Sequence, residues 1–102
     1  MYEGGWRDDR KSGQGRESFT TGDVYEGQFA DNKRSGKGTM RYANGCIYEG
    51  GWKGNQKHGK GKETYESGSV YKGEFSGGKR NGQGVMRLAT GGVHEGMWKD
   101  NE

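Results

Sequence analysis

The sequence predicts an all-β fold: an elongated, twisted, single-layer antiparallel meander made of one β-hairpin per 23-residue repeat. Three observations predict it. The chain superimposes on itself without a gap when 23 is subtracted from its residue numbers. Its aromatic residues and most of its glycines fall in fixed columns of that alignment, and each repeat contains two stretches of period-two alternation. The repeats run 2–24, 25–47, 48–70 and 71–93, followed by a partial copy over 94–102, so residues 1–102 read as one array and as a segment of a longer chain. Composition alone points elsewhere. With 25% hydrophobic and 30% charged residues, 23 Gly and no Pro, the averages approach those of a disordered chain. Register overturns that, because the glycines of a flexible linker need no fixed spacing.

The first element of each repeat is the strand seen in VYEGQF, Val24 to Phe29. Tyr25, Gly27 and Phe29 share one face, and Val24, Glu26 and Gln28 take the other. A loop such as ADNKRSGK, Ala30 to Lys37, is expected to follow. The second strand is GTMRY, Gly38 to Tyr42, which places Gly38, Met40 and Tyr42 together and Thr39 and Arg41 opposite. Thr21-Gly22, Asn44-Gly45, Ser67-Gly68 and Thr90-Gly91 then read as two-residue hairpin turns into the next repeat, since Gly accepts positive φ. At about 4.8 Å per strand, nine or ten strands make a ribbon roughly 40–45 Å long.

Gly4 lies between Tyr2 and Trp6 on one strand face, leaving a bare slot where an aromatic ring of a neighbouring strand can lie flat; Gly15 does the same on the second strand. Few residues thereby supply most of the core, through large buried rings. Contacts should be almost entirely between neighbours.

These residues, YEGxW/F, GxG and the following Gly on a 23-residue period, closely resemble the MORN repeat (membrane occupation and recognition nexus) along residues 2–102. The resemblance implies an elongated antiparallel sheet with one hairpin per repeat. It also implies a module for assembly, with phospholipid binding, protein binding and self-association as the expected modes. The chain departs from the pattern at Lys72, where Glu3, Glu26, Glu49 and Glu95 lead one to expect Glu, and at His94, where Tyr is expected.

A second period of 46 residues is also present. Repeats one and three share Gly5/Gly51, Trp6/Trp52, Glu17/Glu63 and Ser18/Thr64, whereas two and four share Phe29/Phe75, Met40/Met86, Arg41/Arg87 and Ala43/Ala89. Duplication of a repeat pair accounts for it. Alternatively, Met40 and Met86 are adaptable contacts for a partner, within an exposed apolar strip of Trp6, Tyr25, Phe29, Met40, Tyr48, Trp52, Tyr71, Phe75, Met86 and Trp98.

One column pair is basic, carrying Arg10-Lys11, Lys33-Arg34, Gln56-Lys57 and Lys79-Arg80, although the net charge is only +3. If the long loops line one edge, Arg10, Lys11, Lys33, Arg34, Lys57, Lys79 and Arg80 form a basic stripe. Such a stripe could hold anionic lipid headgroups at about 1 kcal/mol per surface-near cation. The plainer alternative is a solvated loop that keeps an open edge unpaired. Nucleic acid fits poorly: no base-stacking aromatics interleave with the stripe, and Glu3, Glu17, Glu26, Glu49 and Glu63 would repel phosphates.

Enzyme chemistry has little to stand on. GNQKHGKG, Gly54 to Gly61, follows the phosphate-loop pattern until Gly61 replaces the magnesium-binding Ser or Thr, and no helix follows. Cys46, His58 and His94 lack the spacing of a zinc site or a nucleophile–base pair. The repeated Glu3, Glu26, Glu49 and Glu95 recur at one per repeat and suit hydrogen bonding to neighbouring backbone or to Lys and Arg. No cofactor is implied. A single cysteine argues against a disulfide-built secreted domain, and neither a signal peptide nor a long apolar run is present. The expectation is a cytoplasmic, non-catalytic scaffold, peripheral to membrane or cytoskeleton at most. It would bind a protein partner through the aromatic and Met strip, with anionic lipid on the basic edge or self-association through the terminal repeats as alternatives.

Overall fold

Alternation of aromatic residues with charged and polar ones, as in YEGGWR and VYEGQFA, is a strand pattern, and each strand has only its partner in the same repeat and the adjacent repeat to pair with. The computed structural model describes residues 1–99. Among them it forms nine strands: β1 (Tyr2–Arg7), β2 (Arg10–Ser18), β3 (Val24–Ala30), β4 (Lys33–Arg41), β5 (Ile47–Lys53), β6 (Gln56–Thr64), β7 (Val70–Ser76), β8 (Lys79–Arg87) and β9 (Val93–Trp98). They lie in one sheet in sequence order, every neighbour antiparallel. The molecule measures 47 × 24 × 16 Å, slightly longer than the strand spacing suggests. Residues 100–102 of the expected partial repeat lie outside the described residues.

One glycine from each strand stands in register with the next, from Gly4 opposite Gly15 through Gly27, Gly38, Gly50, Gly61, Gly73 and Gly84 to Gly96. The expected faces are present: Tyr25, Phe29 and Met40 are buried on one side, while Glu26, Gln28 and Arg41 are exposed.

The connections differ from expectation. The tight turn is the one inside each repeat: β3 ends at Ala30 and β4 begins at Lys33, so only Asp31 and Asn32 connect them, at φ 50° and 69°. Asp8-Asp9, Gly54-Asn55 and Gly77-Gly78 do the same with positive φ at both positions, as a type I′ turn requires. Most of the expected long loop is therefore strand, interrupted by a bulge. Between Gly27 and Phe29 on β3, the partner β4 runs from Gly38 to Arg34, and Gly36 takes φ 74°. The connections into the next repeat are longer than two residues. Gly22 N–H donates to the Phe19 carbonyl, and Phe19 N–H to the Asp23 carbonyl, so Thr20, Thr21 and Gly22 form the loop, with Gly22 at φ 96°. This is a turn closed by a left-handed glycine in third place, a three-residue hairpin.

Repeats are also stitched at the I′ turns. Asn32 N–H donates to the Lys11 carbonyl (3.2 Å), and Lys11 N–H donates back to Asn32 Oδ1 (2.8 Å). Asn55 repeats both bonds with Arg34. In the fourth repeat Gly78 keeps only the backbone bond to Lys57.

Candidate binding groove

The floor of the site is a ladder of rings. Tyr25 projects across the strand pair onto Gly38, where a β-carbon would lie 2.5 Å from the ring's Cε1. Only a glycine permits that approach. The second-strand glycine is thus covered by a neighbouring strand's ring as expected, whereas at the first-strand glycines, Gly4 and Gly27, the nearest groups are the backbone of the opposing strand and the hydroxyl of the tyrosine on the same strand. The phenol then reaches backbone: Tyr2, Tyr25, Tyr48 and Tyr71 donate to the carbonyls of Gly5, Gln28, Gly51 and Glu74 at 2.7–3.0 Å. Between successive tyrosines stands a Trp or Phe. The series Trp6, Tyr2, Phe29, Tyr25, Trp52, Tyr48, Phe75, Tyr71, Trp98 is continuous, each pair edge-to-face with centroids 4.9–5.4 Å apart. Such pairs contribute about 0.5–1.5 kcal/mol each beyond burial. Tyr25, Tyr48 and Tyr71 are wholly buried. Burial drives the Tyr25 phenol up to about 12, although the nearby Arg34 acts the other way; it pushes Tyr48 up as well, reinforced by Glu63.

Cations lie over the ladder. Lys11, Arg34, Lys57 and Arg80 pair in register with Trp6, Phe29, Trp52 and Phe75, and so point to the aromatic face. Arg34 Cζ stands 4.8 Å from the Trp52 ring centre and 5.8 Å from that of Phe19; Arg80 stands 4.9 Å from Trp98. Lys57 lies 5.2 Å from both Tyr42 and Tyr48. These are cation–π distances, favourable where water is partly excluded.

The 46-residue alternation has a physical content here. In repeats one and three the cation is Lys, and a carboxylate neutralises it: Lys11 bonds Glu17 at 2.6 Å, and Lys57 bonds Glu63, which Tyr65 also contacts. Desolvation and that carboxylate hold the Tyr65 phenol well above its usual range. Repeats two and four carry Arg, and Met40 and Met86 replace the carboxylate. There the following Trp takes the guanidinium face and donates its own N–H across the strand, Trp52 to the Gly38 carbonyl and Trp98 to the Gly84 carbonyl, each at 3.2 Å. Gly5 and Gly51 sit tight against the carbonyls of Ser12 and His58. In the same column Gln28 and Glu74 instead accept the Lys37 and Gln83 backbone N–H at 2.8 Å.

Above this floor opens a groove of about 700 Å³, lined by residues of all four full repeats. Phe19, Thr20, Thr21, Asp23 and Tyr42 line one side, and Asn55, Gln56, Lys57, Gly77 and Gly78 the other, with Arg34, Met40 and Trp52 beneath. Both ends of the hairpins thus contribute to it.

The expected apolar strip is not an exposed surface. Tyr25, Phe29, Met40, Tyr48, Trp52, Tyr71, Phe75 and Met86 are buried in the free chain, Trp98 is half-buried, and Trp6 is 59% exposed. Period-two patterning marks a shared face but does not say what covers it. The basic residues are divided as well. Lys11, Arg34, Lys57 and Arg80 are half-buried on the aromatic face; Arg10, Lys33 and Lys79 are exposed, with Arg10 3.5 Å from Asp31. Continuing the period-two pattern through the basic pair would have separated the two sets. Among the described residues, Cys46, His58 and His94 belong to no group of three or more His, Cys, Asp or Glu that could hold a metal, and no helix is long and apolar enough to cross a membrane.

Two comparisons bear on this arrangement. The family model described as MORN repeat matches residues 2–24, 25–47, 48–70 and 71–93. No curated protein matches the chain.

Proposed function

This chain belongs to the MORN repeat family, whose repeats are non-catalytic interaction or membrane-associated modules, and from that premise we propose that it is a scaffold binding a protein partner on the aromatic side of the sheet. The observation that carries this reading is the groove over the ring ladder. It is lined by half-buried Phe19, Tyr42 and Arg34 together with exposed Thr20, Thr21, Asn55 and Gln56. Aromatic, Arg and small polar groups around a partly desolvated trough are the composition of a binding surface. The buried members of the strip support the floor; contact with the partner falls to the rim.

Affinity capture tests it with Thr20→Trp and Thr21→Trp, which fill the groove from exposed positions, against Lys60→Glu on the opposite face. The reading predicts loss of the captured protein with the first two and retention with the third. Capture that survives both groove substitutions contradicts it. An anionic membrane would meet mainly Arg10, Lys33 and Lys79, at about 1 kcal/mol each. Salt-sensitive cosedimentation with anionic vesicles, lost on reversing those three charges, would favour that alternative. Association through the terminal strands would instead show as a concentration-dependent mass in light scattering.

A further inference from the structure

Resting on the groove as the partner surface, we propose that its occupant is an extended acidic peptide segment, one carboxylate of which pairs with the Arg34 guanidinium. Two equivalent cations on this face already have a carboxylate, Lys11 from Glu17 and Lys57 from Glu63. At Arg34 the corresponding position is Met40, and among the described residues Arg34 makes no ion pair. Its side chain donates through one terminal nitrogen to the Asn55 carbonyl at 2.9 Å, while Nε is enclosed and without an acceptor.

A guanidinium carries five donors in a fixed fork matched to a carboxylate. Here most of that capacity is unused. Stacking on Trp52 orients the fork, and the groove opens above it. Thr20 and Thr21 offer hydroxyl groups on one side of it, suited to the backbone of an extended chain. A carboxylate arriving here would form a charge-assisted pair in a partly dry site, where such bonds are about twice as strong as neutral ones.

The test is heteronuclear NMR on the labelled chain, following the Arg34 Nε–Hε resonance. The probes are a terminally blocked peptide of alternating Thr and Glu, its Gln counterpart, and inorganic phosphate. The Glu peptide should shift Arg34 Nε–Hε together with the Thr21 and Asn55 amides, and the Gln peptide should bind at least about tenfold more weakly. Arg34→Met should abolish the difference between the peptides, and Arg34→Lys should keep part of it; the Tyr25 ring resonances report that each variant is folded. Equal binding of the two peptides overturns the proposal, as does a phosphate response where the Glu peptide gives none. If Thr21→Trp loses the captured partner while Arg34→Met keeps it, the groove reading stands and the carboxylate assignment falls.

Discussion

Tyr48 shares its space with a single absent side chain. Its ring lies where a β-carbon on Gly61 would come within 2.7 Å of Cε1, and its hydroxyl reaches the Gly51 carbonyl. Gly61→Ala must push that ring off the ladder, breaking its edge-to-face contacts with Trp52 and Phe75; we expect a loss of about 3 kcal/mol in denaturant unfolding. Gly59, two residues away, is glycine for another reason. Nothing lies near its absent β-carbon, but its φ is 78°. Asn tolerates that backbone region, so Gly59→Asn should cost less than about 1 kcal/mol. The tyrosines also set a limit in alkali. A phenol whose folded value is raised above 10 stabilises the fold fully below pH 10, and that contribution is lost as pH rises through the folded value. For Tyr25 the window is pH 10 to about 12. Tyrosinate absorbance should therefore rise together with loss of β circular dichroism, and ionisation of all six tyrosines in an intact sheet would contradict it.

Each hairpin is closed by chemistry at both ends and tied to the next by the I′ turn. Gly78 lacks the side chain with which Asn32 and Asn55 hold the preceding strand. Gly78→Asn restores a bond to Lys57 N–H at a φ Asn accepts, and should raise stability by about 1 kcal/mol, read as a higher denaturant midpoint. The alternating sets should be coupled too. Glu63→Met strands Lys57 in a half-buried site and should cost about 3 kcal/mol; adding Lys57→Arg should recover at least about 1 kcal/mol, because the guanidinium can lie on a ring. Purely ancestral alternation predicts no such coupling. Two strands per repeat, their faces and the ring–glycine pairing were legible from period two and the fixed columns. Which connection was tight was not: Asn44-Gly45 resembles a two-residue turn but is part of a longer loop, whereas Asp31-Asn32 forms the real one without glycine. The groove escaped as well, because it depends on Phe19 and Arg34 meeting from opposite hairpin ends.

Across the whole molecule, strands pair only with their sequence neighbours, so the sheet coheres by nearest-neighbour contacts along 47 Å. Disrupting one rung should therefore weaken adjacent repeats most, and hydrogen exchange on Gly61→Ala should show faster amides in β5 to β7 than in β1. The molecule spends its aromatic residues on its own cohesion, and the groove above them is the surface proposed for a partner. The tyrosine–glycine ladder is the premise of both halves of that statement, and proton NMR reads it directly. Rings seated on glycine should shift the α-protons of Gly38, Gly61 and Gly84 upfield and give cross-relaxation to Tyr25, Tyr48 and Tyr71 respectively. Random-coil glycine shifts, with no contact between those pairs, would contradict the account.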